Sequence, residues 1–389
     1  MSIESIAAVP ARSQWHLAIR VQFFVLGMAM GVWGAMVPAV KRHYGLDERG
    51  LSIALLIAAI GAVLCLLHAG AWVARWGARR CIQSAGLLLC ASLALLPQTQ
   101  SYPALLAWML ALGAGSALFD VAINAEGNAL EAAAARKLMS GLHAMFSLGG
   151  MAGALWCALL YRVQVDIAVQ MFTSAIGLAA LLLAMARPLS SVAVGPDAGA
   201  GATVARPRGL LLWMGGLTAL CLLAEGAMYD WSALYVEQTL RTDAATGALA
   251  FAAFSAAMAA GRLFGDRGRE RHAPAAVLRA SGAVAALGMA IALTLATPWA
   301  AMLGFALAGL GLANVVPVLF AAAAQVPGVS AARGVAAVSS VGYFGFMVGP
   351  PLIGALAHAS SLGAALWAVA LFAVLMAVAA RPVLGTMRG

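Results

Sequence analysis

The chain has 389 residues, of which 63% are hydrophobic and 10% are charged, and its formal net charge is +9 at pH 7. This composition is too apolar for a soluble multi-domain enzyme, and a mean hydropathy of +0.94 is typical of a polytopic membrane protein. The basic residues lie in short segments between apolar runs and not on one soluble face, so the positive charge does not indicate a nucleic-acid partner.

Long intervals without charge divide the chain into predicted membrane helices. No Asp, Glu, Lys or Arg occurs between Arg80 and Asp120, between Arg279 and Arg333, or between Arg333 and Arg381. About 20 apolar residues cross the hydrocarbon core of a bilayer, so each interval holds roughly two helices. Charges and turn residues taken as boundaries predict twelve helices, at 15–39, 51–74, 81–98, 103–131, 138–160, 167–187, 210–238, 245–264, 274–296, 299–323, 333–357 and 362–381.

Motifs of catalysis, metal binding and secretion are missing from these helices. The five cysteines have no CxxC spacing, which favours a packing role. There is no HExxH, GxSxG or Cys/His cluster, so we expect neither an enzyme nor a cofactor. The first apolar run, 15–39, is too long for a signal-peptide core and is predicted to remain as a membrane helix.

The distribution of basic residues predicts the orientation. If both termini are cytoplasmic, 18 of the 23 Lys and Arg residues fall on the cytoplasmic side, as the positive-inside rule requires. The remaining residues, on the other side, are Lys41, Arg42, Arg49, Arg162 and Arg241.

A segment rich in Pro and Gly, 188–209, predicts a cytoplasmic linker between an N-terminal half, 1–187, and a C-terminal half, 210–389. A short repeat supports this division. The residues around Trp33 in the first predicted helix match those around Trp231 in the seventh. Likewise Phe146 and Gly149 of the fifth helix recur as Phe346 and Gly349 of the eleventh. We therefore predict an all-α membrane protein with two pseudo-symmetric six-helix halves, the architecture of a rocking secondary transporter.

The connection between the second and third predicted helices resembles the loop signature of the major facilitator superfamily. In the stretch from Gly70 to Arg80, Gly70, Arg75 and Gly77 match that signature, but Ala74 stands where the family has Asp. The corresponding stretch of the second half, 261–269, keeps the Asp and is one residue short. The resemblance covers essentially the whole chain and implies a membrane transporter with twelve helices.

A narrower resemblance is to the fucose–proton symporter branch of that superfamily and to a related group of bacterial permeases of unassigned substrate. Asp120 followed four residues later by Asn124 is similar to the fourth-helix pattern of that branch, whereas Gly34 stands where its first helix carries an acid. The strings 138–143 and 225–231 resemble the unassigned permeases. The resemblance implies a monomer in the bacterial inner membrane whose partners are protons and a small-molecule solute.

Acidic residues inside predicted membrane helices are candidates for proton coupling, because intramembrane charges are costly and usually face an aqueous cavity. In the fourth helix Asp120 and Asn124 follow a stripe of polar residues at intervals of about four, which predicts that they line a cavity. Glu126 lies off this stripe near the cytoplasmic end. A buried carboxyl group favours its neutral form and releases a proton when water reaches it, which is the chemistry that coupling requires.

The seventh helix carries two further acids. Glu225 and Asp230 are five residues apart, about 140° around the helix axis, so one is expected to face the cavity and the other to bond a neighbouring helix. His143 of the fifth helix is a further candidate, either for proton relay or for a hydrogen bond between helices. Aromatic and amide groups suit a small polar ligand such as a sugar, and the candidates are Asn124, Trp33, Tyr229, Trp231, Asn314 and Tyr343.

These features favour a proton–solute symporter that alternates access to a site in the middle of the membrane. Proton-coupled export of a drug or metabolite is the alternative, as is a non-transporting sensor on the same fold. A run of glycines with Pro350 and Pro351 resembles a motif of drug–proton antiporters. In that family the motif lies on the fifth helix, which here contains no proline, and this difference counts against an exporter of that type.

Overall fold

The computed structural model describes residues 12–189 and 209–385, and in these two ranges the chain is helical and contains no strand. The first half contains α1 (Arg12–His43), α2 (Glu48–Trp76), α3 (Ala78–Leu95), α4 (Tyr102–Ala134), α5 (Met139–Arg162) and α6 (Ile167–Ala184). The second half contains α7 (Leu210–Leu234), α8 (Ala244–Arg271), α9 (Pro274–Leu295), α10 (Pro298–Leu312), α11 (Val315–Ala323), α12 (Ala331–Ala359) and α13 (Leu362–Leu384).

Twelve helical segments are long and apolar enough to cross a membrane, which confirms the prediction from the charge intervals. Two helices differ from their predicted bounds in an informative way. α8 continues seven residues past the predicted end at 264, because the start of a charged stretch in the sequence does not by itself end a helix. The predicted tenth helix is interrupted at Ala313 and Asn314, so α10 and α11 together form one span.

The two halves repeat the same helix pairings. In the first half α1 packs on α5, α2 on α4 and α3 on α6. In the second half α7 packs on α12, α8 on α10 and α9 on α13, which is the same order when α10 and α11 count as one span. This repetition confirms the predicted pseudo-symmetric architecture. Of the predicted linker 188–209, residues 190–208 lie outside the described residues.

Glycines allow the equivalent helix pairs to approach closely. A Cβ atom on Gly149 of α5 would collide with the backbone oxygen of Phe24 on α1. A Cβ atom on Gly349 of α12 would lie 2.9 Å from the backbone oxygen of Leu223 on α7. Small residues let membrane helices pack backbone to backbone. The short sequence repeat therefore corresponds to equivalent contacts in the two halves.

The helices begin and end at two faces of the bundle. We call the face where α1 begins and α13 ends the terminal face, and the other the opposite face. At the opposite face Lys41 donates a 2.9 Å hydrogen bond to Gln238, and Arg42 pairs with Glu237. These contacts join the end of α1 to the residues that directly follow α7, and so connect the two halves at this face.

All five cysteines are buried and carry free thiols. They lie on α2, α3, α5 and α7, and the thiol of Cys221 contacts the backbone oxygen of Leu312 at 3.8 Å. These positions are consistent with the packing role expected from their spacing.

Candidate functional site

Polar side chains of both halves meet near the middle of the bundle. The contributing helices are α1, α4 and α5 of the first half and α7, α8 and α12 of the second. Three groups can be distinguished there, each containing one acidic side chain: Asp120, Asp230 or Glu225.

The first group surrounds Asp120, which is half-buried near the middle of α4. The amide of Asn124, one turn further along, donates hydrogen bonds to the Asp120 carboxyl group at 3.0 Å and to its backbone oxygen at 2.8 Å. The hydroxyl of Tyr343, on α12, lies close to the Asp120 carboxyl group. Tyr343 is 45% exposed, so this group borders an accessible space. A carboxyl, an amide and a phenol from opposite halves are thus within reach of one small ligand.

The second group is Asp230 with the indole of Trp33. The Trp33 Nε1 atom donates a 2.9 Å hydrogen bond to Asp230 Oδ1, and both residues are buried. The bond joins α1 to α7 across the two halves. Next to it, a Cβ atom on Gly34 would lie 2.7 Å from the backbone oxygen of Tyr229 and 3.2 Å from the ring of Phe251. There is no room for an acidic side chain at position 34, and the carboxyl group at this place comes from α7.

The third group is an ion pair between Glu225 of α7 and Arg262 of α8. The nearest nitrogen and oxygen are 3.2 Å apart, and the two side chains are 8% and 12% exposed. Arg262 also donates to the hydroxyl of Ser147 at 2.8 Å and to the backbone oxygen of His143 at 3.5 Å, both on α5. The ion pair and these hydrogen bonds offset much of the free-energy cost of removing the two charges from water. The guanidinium group therefore binds α7 and α8 to the first half.

Arg262 and Ser147 are site residues that the sequence analysis missed. The charge count assigns Arg262 to the cytoplasmic side as part of the second loop signature. Two features of the sequence indicate that Arg262 lies inside the bundle. It falls within the predicted helix 245–264, and a buried Glu225 needs a cation nearby. Ser147 gave no signal, because serine is common in membrane helices.

The other two acids of α4 contact residues of the first half. Glu126 is fully buried and accepts a 2.6 Å hydrogen bond from the indole of Trp15 on α1. Glu131 accepts the backbone N–H groups of Leu138 and Met139 at 2.6 and 2.9 Å, so its carboxylate caps the start of α5. The predicted polar stripe therefore divides into Asp120 and Asn124 at the site and Glu131 at a helix end.

Two predicted residues lie against aromatic neighbours. The ring of His143 is half-buried and packs edge-on against Phe23, with centroids 5.3 Å apart. Tyr229 is 4% exposed and lies among the rings of Phe146, Phe251 and Phe254, at 6.3, 5.2 and 6.1 Å. This aromatic cluster packs α5 of the first half against α7 and α8 of the second.

Trp231 and Asn314 connect helices within the second half. Trp231 is fully buried, and its indole donates a 3.2 Å hydrogen bond to the backbone oxygen of Pro350 on α12. Asn314, at the interruption between α10 and α11, donates to the backbone oxygen of Gly261 on α8 at 3.1 Å. Neither residue joins the group around Asp120.

The three groups are held by hydrogen bonds and one ion pair. Within residues 12–189 and 209–385, no three His, Cys, Asp or Glu side chains lie close enough to hold a metal ion. The carboxyl groups of Asp120 and Asp230 accept hydrogen bonds from neutral donors, whereas Glu225 faces a cation.

The chain is similar over nearly its whole length to known transporters. The model of the major facilitator superfamily matches residues 21–328 and 233–387. An uncharacterized MFS-type transporter of Yersinia pestis is 34% identical, and the match covers 97% of each chain. Membrane protein MosC of Rhizobium meliloti is 33% identical over 95% of this chain and 90% of that protein.

Solved structures share the fold at low sequence identity. A D-xylose–proton symporter superposes with a TM-score of 0.78 and 15% identity, covering 95% of this chain and 97% of that one. The nucleoside transporter NupG superposes with a TM-score of 0.72 and 13% identity, covering 95% and 98%. The family match, the relatives and the repeated helix pairings agree, and the chain belongs to the major facilitator superfamily of membrane transporters.

Proposed function

We propose that this transporter is a symporter that couples proton entry to the movement of a small polar, sugar-like solute by alternating access. The observation that carries the proposal is the position of Asp120. Its half-buried carboxyl group lies near the middle of α4, accepts a hydrogen bond from Asn124 of its own half and lies close to the Tyr343 hydroxyl of the other half. Separation of the halves moves the Tyr343 hydroxyl away from this carboxyl group, so the proton affinity of the group differs between the two conformations.

A second coupling carboxyl group is assigned to Asp230 and not to Glu225. Protonation of Glu225 would leave the buried Arg262 without its counter-charge, which is strongly unfavourable. Asp230 is bonded by the neutral indole of Trp33, so it can gain a proton without leaving a cation unpaired. It also lies beside Gly34, where the fucose–proton symporter branch that this chain resembles has its acid.

Solute contact is assigned to Asn124 and Tyr343, with Trp33 and Tyr229 bordering the same region. Supporting roles are assigned to Glu126 and His143, because both side chains contact neighbours within the first half. Packing roles are assigned to Trp231 and Asn314.

Transport in proteoliposomes tests the function. D-xylose and a nucleoside are the first probes, because the structural neighbours are named for these solutes; hexoses extend the panel. A symporter accumulates its solute when the outside is acidified, loses this accumulation with a protonophore, and takes up protons when solute is added. Proton movement opposite to the solute would instead identify an antiporter, and binding without flux would identify a sensor.

Asp230→Asn tests the second carboxyl group. The amide keeps the acceptor for Trp33 but cannot titrate, so we expect the variant to fold and its transport rate to follow a changed pH dependence. Initial rates over a series of external pH values measure this. Asp243→Asn, an exposed helix cap at the opposite face, is the matched control. A wild-type profile in folded Asp230→Asn would leave Asp120 as the sole coupling carboxyl group.

The terminal face is assigned to the cytoplasm of a bacterial inner membrane, with the protein acting as a monomer. This orientation places 18 of the 23 basic residues inside. Reporters that are active only in the cytoplasm, fused after residue 389 and inserted within 190–208, are both expected to be active. Inactivity of both would reverse the assignment.

A further inference from the structure

A basic cavity opens at the terminal face, apart from Asp120 and Asp230, and shares only Arg262 with the third group. Its volume is about 190 Å³, more than ten times the roughly 10–15 Å³ that one water molecule needs. It is lined by His16 and Arg20 of α1, by Leu263 of α8, and by Arg136, Lys137, Leu138, Gly141, Leu142 and Arg262. We call this space the terminal cavity.

The lining of the terminal cavity contains four Lys and Arg side chains and no acidic side chain. Arg20, Arg136 and Lys137 form no ion pair with the described side chains. Three acids contact residues in or beside the lining, and each already has a partner: Glu131 caps α5, Glu225 pairs with Arg262, and Glu126 accepts a hydrogen bond from Trp15. Several cations that converge on one space without counter-ions attract an anion.

We propose that the terminal cavity binds a phosphate-bearing anion, such as the headgroup of an anionic phospholipid or a free phosphate. Guanidinium groups bind phosphate through two parallel hydrogen bonds, and Lys adds a point charge. Basic pockets between membrane helices at a bilayer surface suit anionic headgroups in the same way. The inference concerns a binding site and does not depend on the proposed proton coupling.

Binding at this position is linked to the arrangement of the two halves. Arg262 and Leu263 come from α8 of the second half, and the other lining residues come from the first. The hydroxyl of Ser140, at the start of α5, donates a 2.9 Å hydrogen bond to the backbone oxygen of Arg262 beside the cavity. An anion bound by both halves therefore stabilises the conformation in which α5 and α8 are together, and separation of the halves weakens its binding.

Thermal unfolding of the full-length protein in detergent tests the site, because a ligand of the folded state raises the melting temperature. The probes are phosphatidylglycerol, phosphatidylcholine and sodium phosphate, the last compared with sodium chloride at equal ionic strength. We expect phosphatidylglycerol to raise the melting temperature and phosphatidylcholine to leave it unchanged. A rise with sodium phosphate alone also supports the site and identifies a soluble anion as its source.

Paired variants separate this cavity from general surface charge. Arg136→Gln with Lys137→Gln is expected to weaken binding of the effective probe by about 30-fold, the loss of two cation contacts. Arg279→Gln with Arg333→Gln removes the same charge from exposed positions of the same face and should bind normally. Equal weakening in both pairs, or no stabilisation of the wild type by either phosphate-bearing probe, overturns the proposal. If the first pair fails to fold, Arg20→Gln is measured by native mass spectrometry of bound phosphatidylglycerol, and unchanged occupancy there also overturns it.

Discussion

Asp120→Asn is expected to abolish uphill accumulation of solute while solute exchange continues. The amide has nearly the same shape and can accept a hydrogen bond from the nearby Tyr343 hydroxyl, so we expect the contact between the two halves to be kept at this point. It cannot bind or release a proton. The solute gradient then no longer depends on the proton gradient, and the accumulation ratio falls to its equilibrium value. Parallel measurements of proton-driven uptake and of exchange with equal pH on both sides give the two quantities.

The control for Asp120→Asn is Glu126→Gln, a neutralised acid on the same helix whose partner Trp15 is in the first half. It should accumulate solute. Wild-type accumulation by Asp120→Asn would remove Asp120 from the coupling mechanism. Loss of exchange as well as accumulation would mean that the carboxyl group is needed for solute binding.

Separate neutralisation of Arg262 and Glu225 is expected to produce the largest losses of stability. Arg262→Gln leaves the Glu225 carboxylate buried without its cation, and Glu225→Gln leaves the guanidinium unpaired. Removal of one partner from a buried pair costs about 3–5 kcal/mol, whereas replacement of both partners costs much less. Arg262→Gln combined with Glu225→Gln should therefore be more stable than either single variant. Thermal unfolding in one detergent compares the four proteins.

Ser147→Ala serves as the reference for these variants. It removes the hydrogen bond that the charged Arg262 donates to the Ser147 hydroxyl while the ion pair remains, and a loss of about 1.5–3 kcal/mol is expected. If the losses of the two single variants simply add in the double variant, Arg262 and Glu225 are not energetically coupled. The interaction between the two side chains would then contribute nothing to the free energy of unfolding.

The number and order of the helices could be predicted because the lipid environment constrains the sequence strongly. A helix that crosses a bilayer needs about 20 apolar residues, and charges are tolerated mainly at its ends. Arg80 and Arg333, which bound two of the charge-free intervals, lie in the first turn of α3 and of α12. A helix that continues into a charged stretch of sequence, as α8 does after residue 264, is predicted to end too early when charges are taken as helix boundaries.

Side-chain partners across the bundle could not be predicted in this way. Hydropathy along the chain says nothing about which helix lies beside which, so the pairing of Glu225 with Arg262 required the fold. Aromatic residues are equally ambiguous. Trp33 and Trp231 occupy matching positions of the repeat, yet the first bonds Asp230 between the halves and the second bonds Pro350 within one half.

The burial of all five native thiols has a practical consequence for spectroscopy. Thiol-reactive probes label cysteines that solvent reaches, so the unmodified chain should show little background labelling. One cysteine introduced at Gly141, an exposed position on α5, and another at the exposed Leu263 of α8 would carry a probe on each half. The distance between the probes would report how far α5 and α8 separate in each conformation, without prior removal of any native cysteine.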